Sequence, residues 1–530
     1  MILIIKVTET PQVKIHHQGI NDRRGLSAIV AALVALSTIT VAADETPLRF
    51  VVQFSSDVRD QPFTGRVTLF FSHTAQEPRK GPNWFRPEPF ISYDVKDWPP
   101  GEPLHLSTKS DGVLTYPRDF SNAVLGGYRV QAVARFNPLD RRVGDGVGNA
   151  YSDIGHIRED GTELPLIIDR LVEEQPFTET AWTKLLRVRS RLLSEFHGRD
   201  VFLLAAVTLP ASYSNEPDQR YPTIFTIPGF SGTHHHGRRT TPVREYNERG
   251  VEFIRVMLDP ACPLGHHVFA DSANNGPYGQ ALISELIPAF DQQFRSIPQP
   301  QARFLTGHSS GGWSSLWLQV TYPDQFAGVW STAPDPVDFR DFQKIDLYRP
   351  GENMYVESQG SRRPIARQGG RTALWYDDFA WMEHVLGTGG QMHSFEAVFS
   401  PRNPDGKPRE LWNRETGVID TEVAESWKPY DIRLLLEENW ETLGPQLAGK
   451  LHVFVGSEDT FLLDGATRLL KKSLAALGSD AVIEIHDGKD HSSLMTTELV
   501  DRIRREMTTV FLSHFPSWPE TTREVLNDVR

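Results

Sequence analysis

The sequence predicts an α/β protein in which an N-terminal β-sandwich is followed by a larger, mostly parallel sheet covered by helices. Two patterns along its 530 residues predict this fold class. Short stretches in which apolar and polar residues alternate recur over residues 48–135, between turns rich in Pro and Gly, which is typical of strands that pack as a sandwich. From about residue 200 onward, strand-like runs alternate with amphipathic helical runs, as in βαβ units. We therefore expect a β-sandwich at residues 44–172, a helical connector at 173–200 and a second domain at 201–530.

Residues 1–43 are predicted to be a secretory signal peptide. Arg23 and Arg24 precede an apolar run at residues 26–41, and Ala42-Ala43 supply the small residues after which a signal peptidase cuts. The run is shorter than the roughly 20 residues that a spanning helix needs. We expect the processed chain to lack a membrane span and to lie in the periplasm or outside the cell, with an uncleaved anchor as the alternative.

The composition argues against a nucleic-acid partner and against an intrachain disulfide. The formal net charge of -13 is spread along the chain without basic blocks, so a nucleic acid is not expected to bind. The chain has one cysteine, Cys262, which excludes an intrachain disulfide. We expect this cysteine to be a packing residue rather than a reactive thiol. The oligomeric state is not predicted.

The second domain is predicted to contain strands and helices in a regular order, interrupted once. The predicted strands lie at residues 201–209, 221–227, 252–258, 303–306, 451–455 and 481–485, and the predicted helices at about 280–294, 464–477 and 493–515. Residues 334–449 break this rhythm, and we expect them to form a cap that lines a pocket at the strand ends. Aromatic residues are frequent in that insertion, among them Trp375, Tyr376, Trp381, Phe395, Trp412, Trp427, Tyr430 and Trp440.

The segment Gly307-His-Ser-Ser-Gly-Gly matches the G-x-S-x-G nucleophile elbow, with Ser309 at its centre. The glycines leave room for a sharp turn from a strand into a helix. A strand-like run precedes the motif, and apolar residues at helical spacing follow it over residues 313–320. If Ser310 were the nucleophile, His308 would stand where the first glycine belongs. The motif therefore predicts an α/β-hydrolase fold with Ser309 as nucleophile.

A serine hydroxyl needs a base to accept its proton and a carboxylate to orient that base. Two loops that follow later strands supply candidates at the same edge of the sheet as the elbow. The first is Gly456-Ser-Glu-Asp-Thr-Phe-Leu-Leu-Asp, with Glu458, Asp459 and Asp464, and the second is Asp487-Gly-Lys-Asp-His, which ends at His491. Their positions give the order Ser, Asp, His that this fold uses. Asp464 stands before a helical run, which suits an N-cap.

The sequence resembles the esterase D or S-formylglutathione hydrolase-like esterases, a group that also includes enterochelin, feruloyl and acetyl-xylan esterases and mycolyltransferases. The resemblance covers about residues 201–515 apart from the insertion. It implies Asp459 as the acid and His491 as the base, with Asp464 as the main rival acid and Glu458 and Asp487 as lesser ones. The motifs that carry it are Tyr221-Pro, Glu285-Leu-Ile-Pro, Gly307-His-Ser-Ser-Gly-Gly, Tyr322-Pro-Asp-Gln-Phe, Gly456-Ser-Glu-Asp-Thr-Phe-Leu-Leu-Asp-Gly and Lys489-Asp-His-Ser.

The resemblance also implies an oxyanion hole made of two backbone N–H groups. One belongs to Ser310, which follows the nucleophile, and the other to Phe230 in Pro228-Gly-Phe-Ser-Gly. Pro228-Gly229 replaces the more usual His-Gly at that turn. A backbone donor does not depend on the side chain, so this departure is compatible with activity.

These residues together predict an exported serine carboxylic-ester hydrolase that acts through an acyl-enzyme on Ser309, without cofactor or metal. The substrate is expected to be a small-molecule or polymer-linked ester, since export does not suit the cytosolic S-formylglutathione role. Adjacent histidines such as His234-His-His and His266-His rarely converge on one ion, so a metal site is not expected. Acyl transfer to a sugar or lipid hydroxyl, a serine peptidase, and an inactive carbohydrate-binding surface protein using Trp84, Phe85 or Trp98 remain alternatives.

Overall fold

Strands of the N-terminal region hydrogen-bond into one nine-stranded sheet in the computed structural model, which describes residues 48–120, 125–158, 163–243 and 249–518. Alternation drives this sheet: Phe50, Val52 and Phe54 are fully buried, while the residues between them are partly exposed. The strands are β1 (Arg49–Phe54), β2 (Phe63–Ser72), β3 (Phe90–Trp98), β4 (Leu104–Leu106), β5 (Leu114–Tyr116), β6 (Arg129–Ala134), β7 (Ala150–Ser152), β8 (Gly155–His156) and β9 (Glu163–Leu171).

The N-terminal sheet has the order β4-β1-β9-β7-β6-β2-β3-β5, and β8 pairs with β6. The β1–β9 pair is parallel and the other pairs are antiparallel. All nine strands thus belong to one hydrogen-bonded sheet, so the predicted packing of two sheets as a sandwich is not confirmed. The predicted signal peptide, residues 1–43, lies outside the described residues.

The second sheet has eight strands in the order β10-β11-β13-β12-β18-β19-β22-β23. Every pair from β13 to β23 is parallel, and β10 and β11 are antiparallel additions at one edge. The strands of this region, with three short hairpins, are β10 (Thr183–Ser190), β11 (Val201–Thr208), β12 (Thr223–Ile227), β13 (Ile254–Leu258), β14 (Ala261–Cys262), β15 (Gly265–His266), β16 (Asp271–Ser272), β17 (Gly276–Pro277), β18 (Arg303–His308), β19 (Gly328–Thr332), β20 (Pro364–Gln368), β21 (Arg371–Trp375), β22 (Leu451–Gly456) and β23 (Val482–His486).

The helical connector expected at residues 173–200 is wrong in part, because β10 lies within it. This strand pairs with β11 along its whole length. Apolar residues alternate with Arg over residues 186–189, which suits an edge strand with one buried face, since Leu186 is buried and Arg187 is exposed. Only the short helix α1 (Arg191–His197) is helical there, and it begins where the Ser190 hydroxyl accepts the Leu193 N–H.

Helices cover the second sheet. They are α1, α2 (Tyr278–Ala281), α3 (Ile287–Gln293), α4 (Ser310–Thr321), α5 (Tyr376–Leu386), α6 (Gln391–Phe399), α7 (Thr421–Ser426), α8 (Ile432–Leu447), α9 (Asp464–Ala476) and α10 (Thr497–His514). Helices α5 to α8 lie within residues 334–449. A π-helical turn, Leu282–Leu286, joins α2 to α3. No helix in the described part of the chain is long and apolar enough to cross a membrane.

The insertion at residues 334–449 is packed into the main hydrophobic core rather than held apart from it. Trp412 and Trp427 are buried in the same core as Trp313 of α4. Of the insertion's aromatic residues singled out from the sequence, Phe395 lines the catalytic cavity described below. The role of the insertion as a cap is therefore not confirmed, although it supplies part of that cavity's wall.

Candidate active site

The turn between β18 and α4 holds Ser309 in a strained backbone conformation, with φ 61° and ψ −127°. Glycine is required on both sides of it. A Cβ on Gly307 would overlap the backbone of Gly311, and a Cβ on Gly311 would overlap the carbonyl of Ile227 on the neighbouring strand. The Ser309 N–H donates to the carbonyl of Thr332 at 3.0 Å, which ties the turn to the next strand.

The loops after β22 and β23 bring Asp459 and His491 together. The Asp459 carboxylate is fully buried, and its Oδ2 lies 2.8 Å from His491 Nδ1. Its other oxygen accepts the backbone N–H groups of Phe461 at 2.9 Å and Leu463 at 3.3 Å. Because an ionised carboxylate only accepts, Nδ1 carries the proton of a neutral imidazole here. His491 Nε2 is then free to accept a proton.

Ser309 and His491 line one cavity of about 250 Å³. Among the described residues, the Ser309 hydroxyl has no hydrogen bond to His491, whose ring instead bonds Asp459. Contacts between a nucleophile and its base commonly tighten only when substrate binds. The rest of the wall is largely apolar, and its apolar members are Trp84, Ile365, Leu374, Phe379, Met392, Phe395, Phe461 and Leu463.

The rival carboxylates have other partners. Asp464 is bound by Arg367 at 3.1 Å and by Arg468 at 3.2 Å. It is the first residue of α9 and its side chain does not cap the helix, so the expected N-cap is wrong. Because α9 begins at Asp464 itself, the N-cap position belongs to Leu463, and the two guanidinium groups hold the Asp464 carboxylate. Glu458 lies 3.6 Å from Arg367, and Asp487 accepts a serine hydroxyl at 3.3 Å. None of the three lines the cavity.

His308, beside the nucleophile, is a wall residue rather than a second base. Its Nδ1 lies 3.0 Å from the hydroxyl of Thr332, and its ring centroid lies 4.5 Å from that of His491. Since the Thr332 hydroxyl donates to the Gly307 carbonyl at 2.9 Å, His308 Nδ1–H is the donor in the first contact. Burial, with the nearby His491, lowers the pKa of His308 to about 4. The ring is therefore neutral at pH 7.

The loop after β12 lies against the elbow. Gly229 allows this approach, since a Cβ there would lie 3.2 Å from the Ser309 Cβ and 3.1 Å from the His308 carbonyl. His266 holds the loop, with its Nε2 3.1 Å from the Pro228 carbonyl. Burial lowers the pKa of His266 to about 4, so it is neutral and donates there. Phe230 follows Gly229 and lines the cavity, and its N–H as an oxyanion donor stays a prediction.

The histidine pairs and runs do not assemble a metal site. In the described part of the chain, no group of three or more His, Cys, Asp or Glu side chains could hold a metal ion. His234 Nδ1 lies 2.5 Å from Asp259, and His267 is buried against the ring of Tyr278 at a centroid distance of 3.5 Å. His234, His266 and His267 are buried. Cys262 is buried as expected, and burial raises the pKa of its thiol to about 12.

Asp335 and Gln391 are polar residues of the cavity wall that were not identified as site residues from the sequence. Asp335 follows β19, is buried, and accepts hydrogen bonds from the Ser310 hydroxyl at 2.6 Å and the Gln391 amide at 3.3 Å. Burial raises the pKa of its carboxyl group to about 6. An acid directly after the strand that follows the elbow helix was a signal, because parallel strand ends share one edge. Gln391 lies in the insertion and gave no such signal.

Trp84 also lines the cavity, although it belongs to the N-terminal region. Its indole stacks on Phe230 at 5.6 Å and meets Phe379 edge-on at 5.0 Å. Phe85 packs against Phe461, which is also on the wall, and Trp98 is buried in the N-terminal core. The sequence marked these three aromatic residues as sugar-binding candidates, whereas the structure places Trp84 at the serine.

Comparisons with known proteins agree with this geometry. Residues 203–492 match the family model Esterase, described as "Putative esterase". No curated protein shows a significant match. Similar solved structures include a ferulic acid esterase (15% identity, 62% of this chain and 99% of that chain, TM-score 0.38). An S-formylglutathione hydrolase from Agrobacterium tumefaciens (16%, 62% and 95%, 0.36) is another. A third is a fluorophosphonate-binding serine hydrolase of Staphylococcus aureus (14%, 62% and 98%, 0.36).

The identities and TM-scores of these structures are low, so the assignment rests on the family model. That model covers more than half of the chain, from β11 to the residue after His491. It contains the elbow and both loops that bring Asp459 to His491. The chain belongs to the esterase family and is a serine ester hydrolase.

Proposed function

We propose that the protein hydrolyses carboxylic esters through an acyl-enzyme on Ser309. The observation that carries the proposal is the buried hydrogen bond from His491 to Asp459, at 2.8 Å, on the wall of the cavity that holds the strained Ser309. With the proton held on Nδ1, His491 Nε2 can accept the proton of a serine hydroxyl. Asp459 would orient the imidazole and stabilise the imidazolium that forms.

In the first half-reaction, Ser309 Oγ attacks the ester carbonyl carbon while His491 Nε2 takes the hydroxyl proton. The N–H groups of Ser310 and Phe230 stabilise the oxyanion of the tetrahedral intermediate. The intermediate collapses, the C–O bond to the alcohol breaks, and His491 returns the proton to the departing alcohol. Water then attacks the acyl carbon while His491 Nε2 takes a proton from it. The bond between that carbon and Ser309 Oγ breaks, His491 returns the proton to Oγ, and the acid is released.

The acyl group is proposed to be apolar. The wall around Ser309 is mainly aliphatic and aromatic, and His308 beside it is neutral because burial lowers its pKa to about 4. An apolar acyl group gains burial there, whereas a charged one would lose its hydration without a counter-ion. Small-molecule and polymer-linked esters both remain within this class.

Hydrolysis of p-nitrophenyl acyl esters of increasing chain length tests the proposal. Ser309→Ala and His491→Ala are expected to lower kcat by several orders of magnitude, because each removes a member of the proposed triad. Ser492→Ala is the matched control, since its side chain is exposed beside His491. Equal activity in the parent and in Ser309→Ala would contradict the mechanism. Product analysis with added sugar or lipid hydroxyls separates hydrolysis from acyl transfer.

We also propose that the protein is exported after removal of residues 1–43. The support is the sequence alone: Arg23-Arg24, the apolar run at residues 26–41 and the small residues Ala42-Ala43. Expression of the full gene in a bacterial host, followed by cell fractionation and N-terminal sequencing, tests this. A mature chain that begins at Asp44 outside the cytoplasm is expected. A cytoplasmic chain with an intact N-terminus would contradict export.

A further inference from the structure

A groove of about 1690 Å³ adjoins the catalytic cavity. Trp84 and Phe230 line both spaces, and their stacked rings, 5.6 Å apart at an interplanar angle of 25°, form a partition between them. Trp84 comes from the segment between β2 and β3, whereas Phe230 belongs to the loop beside the nucleophile. The N-terminal region thus contributes directly to the surroundings of Ser309.

The catalytic cavity is small for a substrate pocket. Its volume of about 250 Å³ is below the range of roughly 300–1,000 Å³ that is usual for pockets enclosing a whole small molecule. With the carbonyl carbon at Ser309, the acyl half suits this apolar cavity. The alcohol half must then extend past the Trp84–Phe230 partition, and the adjoining groove is the space next to it.

The groove differs from the cavity in carrying charged side chains, among them Arg141. The guanidinium carbon of Arg141 lies 4.9 Å from the centroid of the Phe230 ring, on the groove wall. Within the part of the chain that the structure describes, Arg141 forms neither an ion pair nor a hydrogen bond. The nearby carboxylates are engaged elsewhere: Asp140 with Arg142 at 2.7 Å, and Asp259 with His234 at 2.5 Å.

An unpaired, partly buried guanidinium is costly, because burial removes water from the charge without replacing it. Burial accordingly lowers the pKa of Arg141, although an arginine remains charged at neutral pH. The Phe230 ring offsets part of this cost as a cation–π partner. The planar N–H groups of the guanidinium still lack an acceptor, and a carboxylate matches their geometry with two parallel hydrogen bonds.

We propose that Arg141 binds a carboxylate on the alcohol half of the ester while the acyl half occupies the catalytic cavity. The inference rests on the proposed function and adds a substrate class to it: esters whose alcohol portion is anionic. It also assigns the N-terminal region a part in substrate specificity, since both Arg141 and Trp84 belong to it. Arg141 acts on binding and does not touch the reacting atoms.

A matched pair of acetate esters tests the proposal, namely 4-acetoxybenzoate and its neutral methyl ester. Arg141→Gln is expected to lower kcat/KM for the anionic ester by about 10-fold or more, the range for a lost charge-assisted hydrogen bond, and to change the neutral ester by less than about threefold. Arg199→Gln is the control, because Arg199 also lines the groove, whereas the guanidinium that packs on the Phe230 ring is that of Arg141. Comparing variants on the same ester cancels differences between the two leaving groups.

Three results would overturn the proposal. If Arg141→Gln weakens both esters equally, the guanidinium only supports the Phe230 loop. If Arg199→Gln reproduces the loss on the anionic ester, the groove acts through its general field and not through a site at Arg141. The proposal is also refuted if Arg141→Gln prefers the anionic ester over the neutral ester as strongly as the parent does.

Binding to the Ser309→Ala variant separates this inference from the proposed function. Calorimetric titration with 4-acetoxybenzoate needs no turnover, and adding Arg141→Gln is expected to weaken the affinity by about 10-fold or more. If this loss appears while the parent hydrolyses neither ester, the Arg141 site stands and the hydrolytic function fails. If the parent hydrolyses both esters and the affinity is unchanged, the function stands and the Arg141 site fails.

Discussion

Replacing Asp459 with asparagine should abolish most activity while leaving the fold intact. The carboxylate accepts from His491 Nδ1 at 2.8 Å and, through its other oxygen, from the backbone N–H groups of Phe461 and Leu463. An amide has one acceptor oxygen, and the two backbone donors keep it. Its NH2 group then faces His491 Nδ1 and favours the tautomer whose proton is on Nε2. That tautomer cannot accept the Ser309 proton.

The expected loss in kcat is about 10⁴-fold, the size found when a triad carboxylate becomes an amide. This factor corresponds to about 5.5 kcal/mol in the activation free energy. The free energy of unfolding should fall by only about 1–2 kcal/mol, since two of the three hydrogen bonds persist and the shape is unchanged. Activity and stability are therefore expected to separate clearly.

The assay is p-nitrophenyl butyrate hydrolysis, with urea unfolding of the same samples. Asp464→Asn is the matched control: it makes the same change five positions away, at a carboxylate that bonds Arg367 and Arg468. It should cost stability but keep kcat within about threefold. The reasoning is refuted if Asp459→Asn retains kcat within tenfold of the parent, or if Asp464→Asn produces the larger loss.

Three further predictions concern the cavity wall and the elbow. Trp84→Ala removes an indole from the cavity wall and should lower kcat/KM by about 10-fold for aryl or long acyl esters and by less for acetate esters. Trp98→Ala, a change in the N-terminal core, should reduce stability without altering the preference for aryl or long acyl esters over acetate esters. The pKa of Asp335 is about 6 in the folded protein against an ordinary value of 3.8, so between these pH values the folded state holds a proton that the unfolded chain releases. The contribution of this group to the free energy of unfolding therefore falls by about 2 kcal/mol as pH rises from 4 to 7. In urea unfolding of the parent and Asp335→Asn over this range, the free energy of unfolding of the parent should fall relative to that of the variant by about that amount. A constant difference between the two free energies would contradict this prediction. Gly311→Ala places a Cβ on the Ile227 carbonyl and should lower kcat by more than about 100-fold. The control Gly478→Ala has open space around the new Cβ at φ 72°, so it should cost about 1 kcal/mol of stability and leave kcat unchanged. Equal activity in the two variants would contradict the account of the elbow.

The local parts of the site were accessible from the sequence because their chemistry is encoded in short segments. The elbow needs Gly307 and Gly311 around Ser309, and each glycine has a steric reason that the structure shows. The loops with Asp459 and His491 follow two neighbouring parallel strands, so their meeting at one sheet edge follows from parallel topology. The family match over residues 203–492 confirms the resemblance drawn from these motifs.

The parts that were wrong or missed depend on tertiary contacts. The alternation in β10 covers only a few residues, and its pairing with β11 along its whole length makes it a strand. Asp464 has the composition of an N-cap but is held by Arg367, which arrives from the insertion about 100 residues earlier. Trp84 reaches the nucleophile from another sheet, over a separation of more than 200 residues, and no periodicity reports such a contact.

The measurement that tests the central claim most directly is covalent labelling of the purified protein with a fluorophosphonate, followed by intact-mass and peptide analysis. One adduct per chain is expected, on the peptide that carries Ser309, and it should be lost in Ser309→Ala and slowed by orders of magnitude in His491→Ala. An adduct on Ser310 or elsewhere, or a folded parent that hydrolyses esters without labelling, would contradict an acyl-enzyme on Ser309.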